Sequence, residues 1–157
     1  MKLKTITRIS MILLTLWYFI IFIDPTNLTL PGETSIFSMF GLLLLFLLIS
    51  NVGNALMWKY IDIFSLLFLS LWSLLQWNAH WKLLIFGASA ERVESYNRFF
   101  RGTYRLFPES QQYIIPDLYH SLLGALLFTS LVLVILNIVQ LLISFSGKNV
   151  GVRDSLI

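Results

Sequence analysis

Apolar residues fall in four long runs, Ile6–Ile23, Ile36–Ile49, Ile61–Gln76 and Leu118–Phe145, parted by polar stretches of very unequal length. A helix needs roughly 20 mostly apolar residues to cross the hydrocarbon of a bilayer. With their flanks the runs reach that length, so spanning helices are expected over about 6–24, 36–56, 60–80 and 117–145. The pattern predicts an all-α integral membrane protein, a four-transmembrane-helix bundle forming one membrane domain over residues 1–157.

The long polar exception is the outer segment 81–116. Within it Ser89 is placed to cap a helix running to about Arg101, with Glu91 in its first turn and Gly102 just past its end. Val93, Tyr96 and Phe100 recur at i, i+3 and i+7, while Glu91, Arg92, Glu94, Ser95 and Arg98 fill the rest of the surface. Such an amphipathic helix is expected to lie in the membrane interface or across the top of the bundle. The turn Asp24–Ser35 carries Pro25, Pro31 and Gly32 and reads as a short connection. Its Asn27-Leu28-Thr29 fits the glycosylation triplet, which is common by chance. On the other side, Ser50–Tyr60 ends in Trp58, Lys59 and Tyr60, and Trp17, Tyr18, Trp77, Trp81 and Tyr119 are expected to form the opposing aromatic belt.

Composition agrees with the pattern. Hydrophobic residues make up 57% of the chain and charged residues 12%, and the mean hydropathy is +0.80, more apolar surface than one soluble core of this size could enclose. Cysteine is absent, which excludes disulfides, thiolate nucleophiles and thiolate metal sites together. The first run follows Lys2, Lys4 and Arg8 like a signal peptide but ends in Ile23-Asp24-Pro25 rather than small residues, so it is read as a retained helix.

Charge sets the expected orientation. With the N-terminus inside, six Lys/Arg against two Asp leave the inner pieces at +4, and five Lys/Arg against six acids leave the outer pieces at −1, which recovers the net +3. Both termini are therefore expected in the cytoplasm, in a plasma or inner membrane. Membrane lipid is the expected partner and nucleic acid is not.

The candidate chemistry gathers at the outer boundary. His80 closes the third run and His120 opens the fourth, with Asp117 three residues before it. Ser73, Gln76 and His80 form a polar stripe at i, i+3 and i+7, and polar groups in hydrocarbon turn toward the bundle interior. If the two stripes face each other, His80 and His120 with Asp117 make an acid–base candidate, since imidazole titrates near neutral pH. Asp117 after Pro116 is equally an ordinary helix cap. Metal binding is the weaker reading, because no H-x-x-x-H or H-E-x-x-H spacing is present, and no cofactor is indicated.

Arg98, Arg101 and Arg105, spaced by three and four, offer planar forks for a phosphate or carboxylate headgroup, with Gln76, Trp77 and Trp81 completing a substrate site. The plainer reading makes these arginines interfacial anchors. No phosphate loop, G-x-S-x-G or zincin helix occurs.

Two classes of function follow. The first is a protein that binds or processes an anionic amphiphile (a lipid, lipid-linked or lipoprotein substrate) at the outer boundary. The second is a noncatalytic small subunit or accessory protein of a membrane complex. For the second, Asn137, Gln140 and Ser144 at i, i+3 and i+7 near the inner end of the last run would stitch the bundle if turned inward, or meet a partner helix if turned outward.

Overall fold

The computed structural model describes residues 2–22, 39–58 and 60–154, with side chains for 3–22, 40–58 and 60–144. The turn Asp24–Ser35 with its prolines and glycosylation triplet, the start of the second expected span at 36–38, and Lys59 lie outside the described residues. Among those described, every regular element is helical, apart from one backbone bridge pairing Arg105 with Asp117.

Helix α1 (Lys2–Phe19) tightens into a 3₁₀ turn at Ile20–Phe22. Then come α2 (Met39–Ala55), α3 (Ile61–Gln76), α4 (Lys82–Phe86), α5 (Ala90–Phe99) and α6 (Leu118–Asp154). Three helical stretches are long and apolar enough to cross a membrane: Leu3–Phe22, Ile61–Phe86 and Leu118–Ser144. Helix α2 has 17 residues, about 25 Å at 1.5 Å per residue, and falls short of that length.

Two helices outrun their apolar pattern. The third was expected to end at residue 80, but Trp77–Trp81 form a π-helical turn, and the helix continues through Lys82 to Phe86. Gly87 stops it, with φ at +80°, a conformation that costs glycine no steric clash. The fourth was expected to end near residue 145 and instead extends to Asp154. Hydropathy marks where lipid-like surroundings end, and backbone hydrogen bonding does not stop there.

Helix α1 packs on α2 and α6, and α3 packs on the same two, so the four long helices close a ring around one core. Met11, Leu14 and Tyr18 meet Leu47, Leu69, Trp72, Leu123 and Leu127 there. The outside of the ring is just as apolar: Leu16, Leu45, Leu67, Leu71 and Ile143 are all exposed. An exterior of leucine and isoleucine suits acyl chains and no other solvent, which supports a membrane location for these helices.

Small residues set how closely the helices approach. A Cβ at Gly124 would lie 2.6 Å from Cζ2 of the Trp81 indole, so only glycine lets α6 meet the π turn. Trp81 and Tyr119 thus depart from the expected belt. Tyr18 and Tyr119 are buried in the core, where Trp17 Nε1 donates to the Tyr119 carbonyl at 3.1 Å, and only Trp77 remains substantially exposed.

Candidate functional site

The site is built where the π turn Trp77–Trp81, α5 and α6 converge. Helix α5 starts after Ser89, whose Oγ accepts from the Arg92 amide at 3.4 Å, and the chain turns back at Gly102 with φ +90°. Its one fully buried side chain, Val93, packs with Leu83 and Ile114. That contact pins α5 over the end of the third helix. The return strand is held by Ala88 N donating to the Gln112 carbonyl at 2.9 Å and by Leu118 N donating to the Tyr104 carbonyl at 2.7 Å.

At the centre, Asp117 is wholly buried and caps α6. Its Oδ1 accepts from the His120 amide at 2.8 Å and from the His120 ring at 2.7 Å. A carboxylate only accepts, so the shared proton lies on Nδ1, which leaves Nε2 as the ring nitrogen free to exchange a proton. The second carboxylate oxygen, Oδ2, is buried with no hydrogen-bond partner among the described residues. Against this pair lies His80, its ring centroid 4.4 Å from that of His120, the planes tilted by 34°. The two histidines, forty residues apart in sequence, therefore meet as the polar stripes anticipate.

His80 sits in the π turn, six residues before the helix ends. Its Nδ1 is 3.1 Å from the Tyr96 hydroxyl of α5, and Phe100 closes the cluster edge-on to His120 at 5.3 Å. Burial pushes the Tyr96 phenol well above its ordinary pKa, the Asp117 carboxylate adds to the shift, and the Arg105 cation opposes it. The phenol therefore stays protonated through the neutral range. A depression of about 390 Å³ opens beside this wall, lined by His80, Arg92, Ser95, Tyr96, Phe99 and Ile114 among others.

The three arginines do not converge on the histidines. Arg105 is largely buried and fully engaged: Nη1 donates to Asn97 Oδ1 at 2.9 Å and meets Glu109 at 3.1 Å, and Nη2 donates to the Phe100 carbonyl at 3.4 Å. Arg98 pairs with Glu94 at 2.7 Å in the open. With Arg101 it lines a separate groove of about 430 Å³ that also carries Glu94 and Glu109. Of the residues expected on the third helix, Gln76 buries its Oε1, Trp81 packs on Gly124 and Phe128, and Trp77 is exposed.

Arg92 and Tyr96 are the residues that spacing did not single out for the site. Tyr96 was placed only on the apolar face of the expected helix, and its one distinguishing signal was a hydroxyl on that face. At the far end of α6, the expected strip divides. Asn137 is buried and donates to Thr7 Oγ1 at 2.8 Å, while Gln140 and Ser144 are exposed. Among the described residues no group of three His, Asp or Glu side chains is arranged to hold a metal ion. Compared with protein-family models, with curated proteins and with solved structures, the chain matches none.

Proposed function

We propose that this chain is a multi-pass membrane protein that binds and processes an anionic amphiphile at the outer boundary of the bundle. The observation that carries the reading is the buried Asp117–His120 pair in ring contact with His80, beside a depression lined in part by Arg92. Asp117 orients His120 so that Nε2 can take a proton from a bound hydroxyl or water, and His80 with Tyr96 passes or stabilises charge at the wall. Arg92 supplies the fork for a phosphate or carboxylate, and Phe99 with Ile114 offers apolar surface to an acyl chain. Arg98 and Arg101 attract the same anions from the neighbouring groove. In this reading α2 also crosses the bilayer, α5 lies at headgroup height, and both termini are cytoplasmic.

Two experiments test it. Purified from membranes, the Arg92→Gln variant should retain several-fold less acidic lipid than the parent, while His120→Ala should retain lipid like the parent and fail to complement a deletion strain. Full complementation by both variants, with unchanged lipid, would sink the amphiphile reading. For topology, a cysteine at Ser110 should react with an impermeant thiol reagent in intact cells and one at Ser146 should not; the reverse pattern inverts the orientation.

A second reading, a noncatalytic subunit of a membrane complex, is favoured by Gln140 and Ser144, both exposed one turn apart on α6. It takes precedence if Gln140→Leu alone abolishes complementation.

A further inference from the structure

The polar groups of this bundle do not end at the outer site. Thr7, Ser10, Ser50, Ser65, Ser130 and Asn137 are all buried, and they come from all four long helices. Two pairs of them close hydrogen bonds between α1 and α6: Ser10 Oγ with Ser130 Oγ at 2.7 Å, and Asn137 with Thr7 at 2.8 Å. Others are left over. Ser65 Oγ, Ser73 Oγ and Gln76 Oε1 on the third helix are buried without a partner among the described residues, as is Asp117 Oδ2 above them.

Helix packing alone does not explain this set. Polar side chains that serve as glue between helices are paired, and an unpaired buried group costs the desolvation it never recovers. Bridging water removes that cost where two or more polar groups converge. On the third helix these orphans descend in one line, and the paired Ser130 and Asn137 of α6 lie at intermediate and greater depths. At 1.5 Å per residue, Gln76 lies about 6 Å below His80, Ser73 about 10 Å and Ser65 about 22 Å, while Ser130 fills the gap about 15 Å below His120 and Asn137 follows at about 26 Å. Measured along the helix axes, successive groups differ in depth by no more than about 8 Å. The line ends in a hollow of about 230 Å³ lined by Lys4, Asp62, Asn137, Gln140 and Ser144.

We infer that the bundle conducts protons between the Asp117–His120 pair at one end and the Asp62 hollow at the other. Each hydroxyl or water on the line accepts a proton on one side and releases another on its opposite side. One proton thus enters at one mouth for each that leaves at the other, and only O–H and N–H bonds exchange. Between the two mouths the named polar groups are all neutral, so a metal cation would lose its hydration shell without replacement. In the outer half Leu69, Leu123 and Leu127 are buried in the core, and Ser73 and Gln76 are the polar groups of the line there. The inference requires these helices to cross the bilayer but does not depend on the amphiphile.

The full chain is reconstituted in phosphatidylcholine liposomes enclosing a pH-sensitive dye, with potassium and valinomycin to clamp the voltage, and an external pH step is applied. The parent should carry protons at least about tenfold faster than protein-free liposomes, and Ser73→Ala and Gln76→Leu should each lower the rate about tenfold, a barrier rise of about 1.4 kcal/mol. Ser70→Ala, on the exposed face of the same helix, should leave the rate unchanged. Helical circular dichroism checks that each variant is folded, and Ser73→Ala is small enough to be read if Gln76→Leu is not. A parent rate equal to that of empty liposomes, folded Ser73→Ala protein conducting like the parent, or sodium entering as fast as protons would each overturn the inference. A parent protein that carries protons but retains no acidic lipid would instead count against the amphiphile reading alone.

Discussion

Asp117→Ala will destabilise the protein by about 3 kcal/mol, the largest loss expected from any single change at this end of the bundle. The carboxylate is wholly buried and anchors both the His120 amide in the first turn of α6 and the His120 ring through one oxygen. Removing it unpairs the His120 amide and leaves the imidazole free to rotate against His80. Asp117→Asn keeps an oxygen for both donors but removes the charge, so its cost should be about 1 kcal/mol, within the range of a single net hydrogen bond. Reversible unfolding in mixed micelles, followed by tryptophan fluorescence, reads both. If the alanine variant lies within about 0.5 kcal/mol of the parent, as surface changes do, Asp117 is not the keystone of this end of the bundle.

The second large effect separates three arginines that look alike in sequence. Arg105→Ala should cost about 2 kcal/mol, because it strips a largely buried cation from Asn97 and from the Phe100 carbonyl and leaves both acceptors without it. The loop that carries Phe100 would loosen with it. Limited proteolysis should then cut between residues 100 and 116 in the variant and spare the parent. Arg98→Ala removes only an exposed pair with Glu94, worth about 0.3 kcal/mol, and should be silent in both assays. Equal protease resistance of the Arg105 variant would show that the loop is held by its backbone bonds to α4 and α6 instead.

What could be read from the sequence followed from periodicity and from strong local signals. The long apolar runs located the helices that can cross a membrane, the Ser89 cap and Gly102 bracketed α5, and the stripes ending in His80 and His120 anticipated that the rings meet. Regular spacing says nothing about how a helix continues beyond its apolar stretch, so the extension from Trp81 to Phe86 was invisible. Nor does spacing reveal which of several like side chains a fold has already engaged. Arg98, Arg101 and Arg105 share a local pattern, and only the return of the chain to Asn97 and Phe100 sets Arg105 apart. Arg92 became a site residue through tertiary packing on the third helix, by way of Val93, Leu83 and Ile114.

The π turn at Trp77–Trp81 gives the third helix two phases. A residue advances an α-helix by about 100°, so an extra residue accommodated in one wide turn rotates everything after it relative to everything before it. Upstream, the helix presents Phe68, Leu69 and Trp72 to the ring of four; downstream, it presents Leu83 to α5. His80 stands at the seam between these two registers, where it can face α6 and still reach Tyr96. A one-residue deletion at Asn78 or Ala79 would close the wide turn into regular α-helix and leave the core and α5 contacts near their present angles, whereas tightening the turn with all five residues kept would rotate one set against the other by about 90°. The irregular turn is thus the joint by which the ring of long helices and the α5 cap, each needing its own angular setting, share a single helix.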